Sequence, residues 1–443
     1  MHPYVPVPVR CLATHVLGTG LHATVSAGLL CTGACTSHHG EVPFALAHRL
    51  RWSRLLLGIA LTTSAAAQDG PTPRARIDVA GFMQLDAIHD FDRVDPAWTG
   101  ALRPTRIAIR CPGEPGCGPP GEMSFSVRAS RLAVHGRVPS AIGEVRTLFE
   151  FDLFGVASDA GRTTFRLRHA WGELGRLGAG QTSSLFMDGD AFPLAIEYWG
   201  PPGLVAIRTA QLRYTAVRRP GMTVAVSAEA PTSSIDIGRA LEADDTLGLR
   251  RRTVLPDFHV QWRLARPWGH AQVSAVLTST GFESTRTADG RPTVLRTGGG
   301  VSASARARLA PWGSVVGQVT TGRGIAGYVN EGGVDLAPAA TLPLRPRLVP
   351  SRAWSLYWEQ RLANAVQLVV GGSEHRQWPS ALQDEDALVS ARYATLDLRY
   401  TPAPDVLLVG SLQHAVRVTN ESGRGDATRI QLAVRWLFDT RAP

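Results

Sequence analysis

Beyond residue 68, no stretch of this 443-residue chain approaches the roughly eighteen unbroken apolar residues that a membrane helix requires. If the chain crosses a bilayer, it must do so as strands. Methionine is scarce, with five in all, whereas Gly (45) and Pro (30) are plentiful, and charged residues make up only 19%. That balance argues against long helices and for many strands joined by turns. Cysteine is scarce too: Cys11, Cys31 and Cys35 lie in a part expected to be lost, leaving Cys111 and Cys117 in the segment Cys-Pro-Gly-Glu-Pro-Gly-Cys. In an oxidising periplasm such a pair reads as a loop disulfide rather than a metal or redox site. No G-x-S-x-G, H-E-x-x-H, P-loop or dinucleotide fingerprint stands in the context it would need, so no enzyme, cofactor or metal is expected. No nucleic-acid partner is expected either.

The N-terminal region reads as export machinery. Arg49, Arg51 and Arg54 form a basic start, Leu55 to Leu61 an apolar centre, and Ala65 to Ala67 an A-x-A cleavage site, so residues 49–67 are expected to be a signal peptide. Residues 1–48 have no coherent pattern and read as an upstream extension from a mis-assigned start. The mature chain is then a short periplasmic segment (68–76), a strand-built body (77–438) and a short tail (439–443).

Within that body the hydrophobic period is two. From Glu144, the residues Val145, Thr147, Phe149, Phe151 and Leu153 point one way and Arg146, Glu150 and Asp152 the other. Phe165, Leu167 and Trp171 alternate with Arg166, Arg168 and Ala170, and Phe258, Val260, Trp262 and Leu264 with His259, Gln261 and Arg263. Sixteen such segments can be counted, near 77–88, 124–137, 143–154, 164–173, 176–183, 210–217, 222–230, 256–265, 269–279, 297–309, 313–323, 352–362, 366–374, 389–400, 406–414 and 428–438. The connections alternate in length. Tight turns at 139–142, 175–176, 218–221, 266–268, 310–312, 363–365 and 401–405 take turns with long loops at 89–123, 155–163, 184–209, 231–255, 280–296, 324–351, 375–388 and 415–427. Seven tight and eight long connections are what sixteen antiparallel strands need when both chain ends lie at the tight-turn end. A soluble sandwich would show no such alternation. The fold predicted is all-β: a transmembrane antiparallel barrel of about sixteen strands, with short periplasmic turns and long extracellular loops. Pro-Trp-Gly at 267–269 and again at 311–313 sets Trp268 and Trp312 at one rim.

Four short blocks carry a family resemblance. Thr147-Leu-Phe-Glu-Phe-Asp-Leu-Phe-Gly155, Leu167-Arg-His-Ala-Trp-Gly-Glu173, Ala179-Gly-Gln-Thr182 and Phe186-Met-Asp188, approached through Ser130-Arg-Leu132, resemble the DcaP-like family of outer-membrane porins. The resemblance is dense from about Arg128 to Tyr214. It implies a bacterial outer-membrane location and passive transport of small hydrophilic solutes, dicarboxylate-like organic acids among them. The competing expectation is a barrel with no open pore, serving as a barrel-embedded lipid hydrolase or an adhesin.

If the barrel is a pore, selectivity depends on what narrows it. The polar faces of the early strands offer Arg128, Arg131, Arg146, Arg166, Arg168 and Arg213 opposite Glu150 and Asp152, a set expected to make a basic constriction favouring anions. Ser130 marks a possible bulge. The loop 184–209 is unusually apolar for an external loop, with Leu185, Phe186, Met187, Phe192, Tyr198 and Trp199 around Asp188, Asp190 and Glu197, and is expected to fold inward. The precursor's net charge of +9 points the same way. Partners expected are outer-membrane lipid, small anionic solutes and two further copies in a homotrimer. The trimer is argued from His169, Trp171 and Gln181, which interrupt oily faces and would be costly against lipid; a local bulge turning His169 inward is the alternative.

Overall fold

Alternation of apolar and polar side chains leaves each strand with one face for lipid and one for water, and the chain closes those strands into a wall. The structure, a computed structural model, describes residues 74–441 apart from 110–116, 118–119, 198, 237, 239–247, 310, 312, 340–344 and 422. The proposed extension, signal peptide and cleavage site, with Cys111, Tyr198 and Trp312, lie outside the described residues.

Twenty strands form among the described residues: β1 (Arg76–Asp90), β2 (Glu122–Ser126), β3 (Arg131–Ser140), β4 (Gly143–Phe154), β5 (Thr163–Leu174), β6 (Leu177–Ser183), β7 (Arg208–Arg219), β8 (Met222–Glu229), β9 (Leu249–Arg252) and β10 (Asp257–Arg266) in the first half. The second half contributes β11 (Gly269–Ser284), β12 (Thr293–Leu309), β13 (Gly313–Arg323), β14 (Leu336–Pro338), β15 (Pro346–Leu348), β16 (Pro350–Arg361), β17 (Val366–Gln377), β18 (Leu388–Ala403), β19 (Val406–Thr419) and β20 (Arg424–Asp439). β2 and β3 share one place, since both pair with β1, through Asp86–Asp90 and Arg76–Phe82 respectively. β9 only extends the edge of β11 at Gly281–Ser284, and β14 and β15 form a separate hairpin. Sixteen wall positions remain, all antiparallel, and β20 pairs with β1 from Ala80↔Asp439 to Asp90↔Arg429 to close the ring. Closure pairs every wall strand on both sides, which is what hydrocarbon demands of a backbone with no water to bond to.

The outward face carries exposed Leu277, Val319, Leu356 and Leu432, while the inward face buries Gln413, Asp397, His375 and Arg429. Some inward positions are apolar: Val276, Val316, Tyr357, Val369, Leu407, Val409 and Ala433. Each sits in a small cluster with residues from inside the barrel, Phe186 and Met187 on Val276, Ala191 on Val316, Tyr357 and Val369, and Ile196 on Leu407, Val409 and Ala433.

Two local departures from regular alternation matter. The second strand is interrupted at Val127–Ser130, where Ser130 N–H donates to the Val127 carbonyl and the Ser130 hydroxyl ties to Gln84. In β5 the register against β4 jumps from Glu150↔His169 to Phe151↔Leu167, so Arg168 is an extra, bulged residue. That single insertion reverses the facing of the residues beyond it. Phe165 and Leu167 point outward, but Arg168 and His169 both turn inward, and Trp171, expected on the oily face, is buried on the inner one. His169 Nδ1 lies 2.8 Å from the Thr182 hydroxyl. The cost of a histidine in lipid therefore does not arise, and the argument for a trimer from His169 and Trp171 loses its premise.

Trp171 needs the missing side chain of Gly178, where an added Cβ would fall 2.1 Å from Trp171 Cζ2. Gly178→Leu is expected to expel the indole and destabilise the barrel by about 1–3 kcal/mol, read as earlier loss of the heat-modifiable folded band on a temperature series. An unchanged transition with unchanged tryptophan emission would show that the indole is not seated there.

Candidate functional site: the lumen between an inner segment and an arginine wall

Residues 184–207, between β6 and β7, lie along the inside of the wall, held largely by side chains reaching their backbone. The Leu185 N–H donates to Glu229, Leu194 N–H to Glu359, Ile196 N–H to Asp397, Gly203 N–H to the Ser373 hydroxyl and Val205 N–H to Gln318, at 2.7–3.2 Å. The acceptors belong to β8, β16, β18, β17 and β13, so the segment crosses to the far side of the barrel and returns. Gly203 permits the closest approach, since a Cβ there would fall 2.0 Å from the Trp354 carbonyl oxygen. Backbone amides buried this way require acceptors, and inward polar residues of the barrel supply them.

Asp188 anchors the near end. Its carboxylate accepts from Arg263 Nη1 at 2.9 Å and from the Ser304 hydroxyl at 2.7 Å, with His270 Nε2 at 2.8 Å. Burial alone would raise its pKa, but the Ser304 hydrogen bond and the neighbouring His270 and Arg263 hold the carboxyl below the usual range. Asp190 is exposed and pairs with Arg263, while Arg306 spans Glu359 and the Asp190 and Phe192 carbonyls.

The strands that precede and follow this segment in the chain form the other wall. There Asp152 accepts from Arg166 Nε at 2.9 Å and Nη2 at 2.5 Å, and from Arg168 Nη1 at 2.9 Å. Glu150 accepts from Arg168 Nε at 2.5 Å, and Arg131 Nε lies 3.5 Å away. Three guanidiniums thus share two carboxylates, leaving the network one positive charge in excess. Arg213 stacks over Trp171 at 5.2 Å and donates to the Ser183 carbonyl and Gln211. Arg146 stands apart from this network, exposed at the turn end and paired with Glu144 two residues earlier. Arg128 occupies the break between β2 and β3, buried against Phe154 at 4.8 Å. Cys117 is disulfide-bonded.

Closure adds a residue to this wall that the strand pattern alone did not single out. Arg435 of β20 donates to Gln84 at 2.7 Å and stacks over Phe82 at 4.0 Å, with Arg131 over the same ring at 5.4 Å. Its position on a polar face was visible in sequence, but its neighbourhood with Arg131, far away in the chain, exists only because β20 pairs with β1. Two further loops also turn inward. Arg103 stacks over Trp98 at 4.2 Å and Trp199 at 4.9 Å and pairs with buried Glu331 at 3.1 Å, and Asn330 donates to the Trp199 and Pro201 carbonyls. Arg166 reaches Trp199 at 4.9 Å, joining this cluster to the arginine wall.

Glu197 joins the loops. Its carboxylate accepts from Leu102 N–H at 2.9 Å and Trp199 N–H at 2.8 Å, and Arg429, already bidentate to Asp90, lies 3.8 Å away. Complete burial pushes its pKa up to about 7, against the pull of Arg429 and the two amides. Between the ordinary carboxyl value and about 7, the open form loses a proton that the packed form keeps. Packing is therefore strongest at the acidic side of that window and weakens as pH rises to about 7. Hydrogen-exchange protection at Leu102 and Trp199 is expected to fall by about tenfold or more across it, and Glu197→Gln to flatten the profile. Protection that rises with pH would refute this assignment.

No curated protein matches the sequence. Among solved structures, the outer membrane channel DcaP of Acinetobacter baumannii superposes with a TM-score of 0.69 at 17% identity, covering 82% of this chain and 97% of that one. An anion-selective porin from Comamonas acidovorans gives 0.52 at 11% identity, over 82% and 100%. The trimer form of OmpT from Vibrio cholerae gives 0.50 at 9%, over 83% and 100%. Residues 62–277 match the family described as DcaP outer membrane protein. That match lies across the strands that build the arginine wall and the inner segment, and the chain, similar over those residues to the DcaP outer membrane protein family, is a porin-type barrel of the bacterial outer membrane.

Proposed function

We propose that the protein lets small hydrophilic solutes diffuse passively across the outer membrane with a preference for anions, small organic acids of the dicarboxylate type among them. The observation that carries this reading is the charge imbalance of the wall opposite the inner segment. Arg131, Arg166 and Arg168 share Glu150 and Asp152, while Arg213 and Arg435 face the lumen without a carboxylate in direct ion-pair contact, Glu229 lying near the first and Asp86 near the second. In a narrow aqueous passage walled by low-dielectric protein, such an excess raises the local concentration of anions and lowers that of cations. The Comamonas porin is described as anion-selective, which agrees with this reading.

Assembly as a homotrimer is part of the proposal. Its support is the trimer form of the Vibrio protein, together with the outward Gln181, whose amide donates to the Leu167 carbonyl on a face otherwise meant for lipid.

The test is electrical. Protein reconstituted into planar bilayers under a KCl gradient is expected to show a reversal potential on the chloride side, with openings in groups of three. Arg131→Glu combined with Arg435→Glu should shift the chloride-to-potassium permeability ratio toward potassium by about twofold or more, with single-channel openings retained. A reversal potential that does not move in the double variant would refute the electrostatic reading, and absence of conductance from correctly folded protein would refute the pore.

A further inference from the structure

The lipid-facing side of the barrel carries its own cluster of arginines, and the pore does not use them. On β16 the outward series runs Leu356, Trp354, Arg352 toward the long-loop end, and on β17 it runs Val370, Gly372, Glu374, Arg376, with Trp378 just past the strand's end. Register pairs Trp354 with Glu374 and, one row further out, Arg352 directly with Arg376. Both guanidiniums stack on the exposed Trp378 indole, at 5.5 Å and 5.6 Å. Arg323, the outward residue at the end of β13, pairs with Pro350 one row beyond, and Arg347 donates to the Trp378 carbonyl at 2.7 Å. The nearest carboxylate in this register, Glu374, is already taken. It accepts from Arg392 Nε at 2.9 Å and from Trp354 Nε1 at 3.1 Å. Among the described residues, Arg323, Arg352 and Arg376 have no carboxylate partner.

Like charges directly opposite each other on neighbouring strands repel, and arginine in hydrocarbon is costly. An arrangement that holds two arginines face to face, splayed over one aromatic ring, with a third beside them, becomes favourable when an anion lies between them. Its level says which anion. Immediately below lies the apolar belt of Val319, Trp354, Leu356, Val370 and Leu396, all exposed toward lipid, so the cluster stands where the acyl chains end and the headgroups begin, at the extracellular end of the wall. The occupant must therefore carry phosphate on a headgroup whose acyl chains continue down the belt.

We propose that Arg352 and Arg376, with Arg323 and the Trp378 ring, form a binding site for the phosphorylated saccharide headgroup of an outer-leaflet glycolipid. Arginine forks chelate phosphate oxygens, the indole offers a flat apolar face to the sugar, and the belt beneath holds the acyl chains. The site lies outside the lumen, so this assignment is independent of the conduction reading above.

The experiment uses the folded full-length protein in detergent, titrated with purified lipopolysaccharide, with the same glycolipid after removal of its phosphates, and with inorganic phosphate. Binding is read by native mass spectrometry and by the temperature at which the folded band is lost. Wild type is expected to bind the phosphorylated glycolipid and to gain thermal stability from it. Dephosphorylated glycolipid should bind at least tenfold more weakly, and inorganic phosphate should give no stabilisation. Arg352→Gln with Arg376→Gln should weaken binding of the phosphorylated form about tenfold or more, while the heat-modifiable folded band in lipid-free detergent stays unchanged and shows that the barrel is folded. Arg392→Gln, which disturbs only the pair already satisfied by Glu374, should retain most of the binding. Equal binding by the double variant, equal binding of the dephosphorylated form, or dissociation of an oligomer in place of lost lipid binding would each overturn the proposal.

Discussion

A backbone inside hydrocarbon has no partner but itself, and the rest of this structure depends on meeting that condition. Every wall strand pairs on both sides, and the last pairs with the first over Ala80–Asp90 and Arg429–Asp439. Closure has two consequences. It turns the charged faces of all the strands toward one enclosed volume, and it makes neighbours of residues from opposite ends of the chain, Arg131 and Arg435 over the Phe82 ring among them.

The enclosed volume is then divided by the same rule applied to loops. Residues 184–207 enter the barrel with exposed backbone amides, and the wall answers with Glu229, Glu359, Asp397, Ser373 and Gln318, each reaching an N–H. Apolar side chains of the segment settle on the few inward positions that are themselves apolar, Val276, Val316, Val369, Leu407 and Val409. The segment therefore has a defined seat on one side of the lumen and leaves the arginine wall facing it. Arg429 is held between Asp90 and Glu197, and the arginines of the facing wall share Glu150 and Asp152.

Small irregularities decide which side chains take part. The extra residue at Arg168 brings Arg168, His169 and Trp171 inside together. Under unbroken alternation the histidine and the indole would face lipid. The break at Val127–Ser130 does similar service for Arg128, placing it against Phe154 and Trp98 at the extracellular end.

Strand number, the alternation of tight and long connections, and the polar identity of Arg131, Glu150, Asp152, Arg166 and Arg168 were legible in the sequence, because a period of two and the composition of turns are local properties. The apolar character of the segment around Phe186 and Phe192 was legible for the same reason. Three features lay beyond local reading. Bulges shift facing by one residue and leave only a faint mark, so Trp171 read as outward. Closure joins β20 to β1, so no local pattern marks Arg435 as a neighbour of Arg131. The seats of the inner segment show only as strands apolar on both faces, Leu368-Val369-Val370 and Leu407-Leu408-Val409, a pattern that a buried strand in any fold would share. Local pattern was enough to specify a strand-built barrel with one polar face to each strand. Which arginines meet is set by register and ring closure, and neither is a property of any one segment.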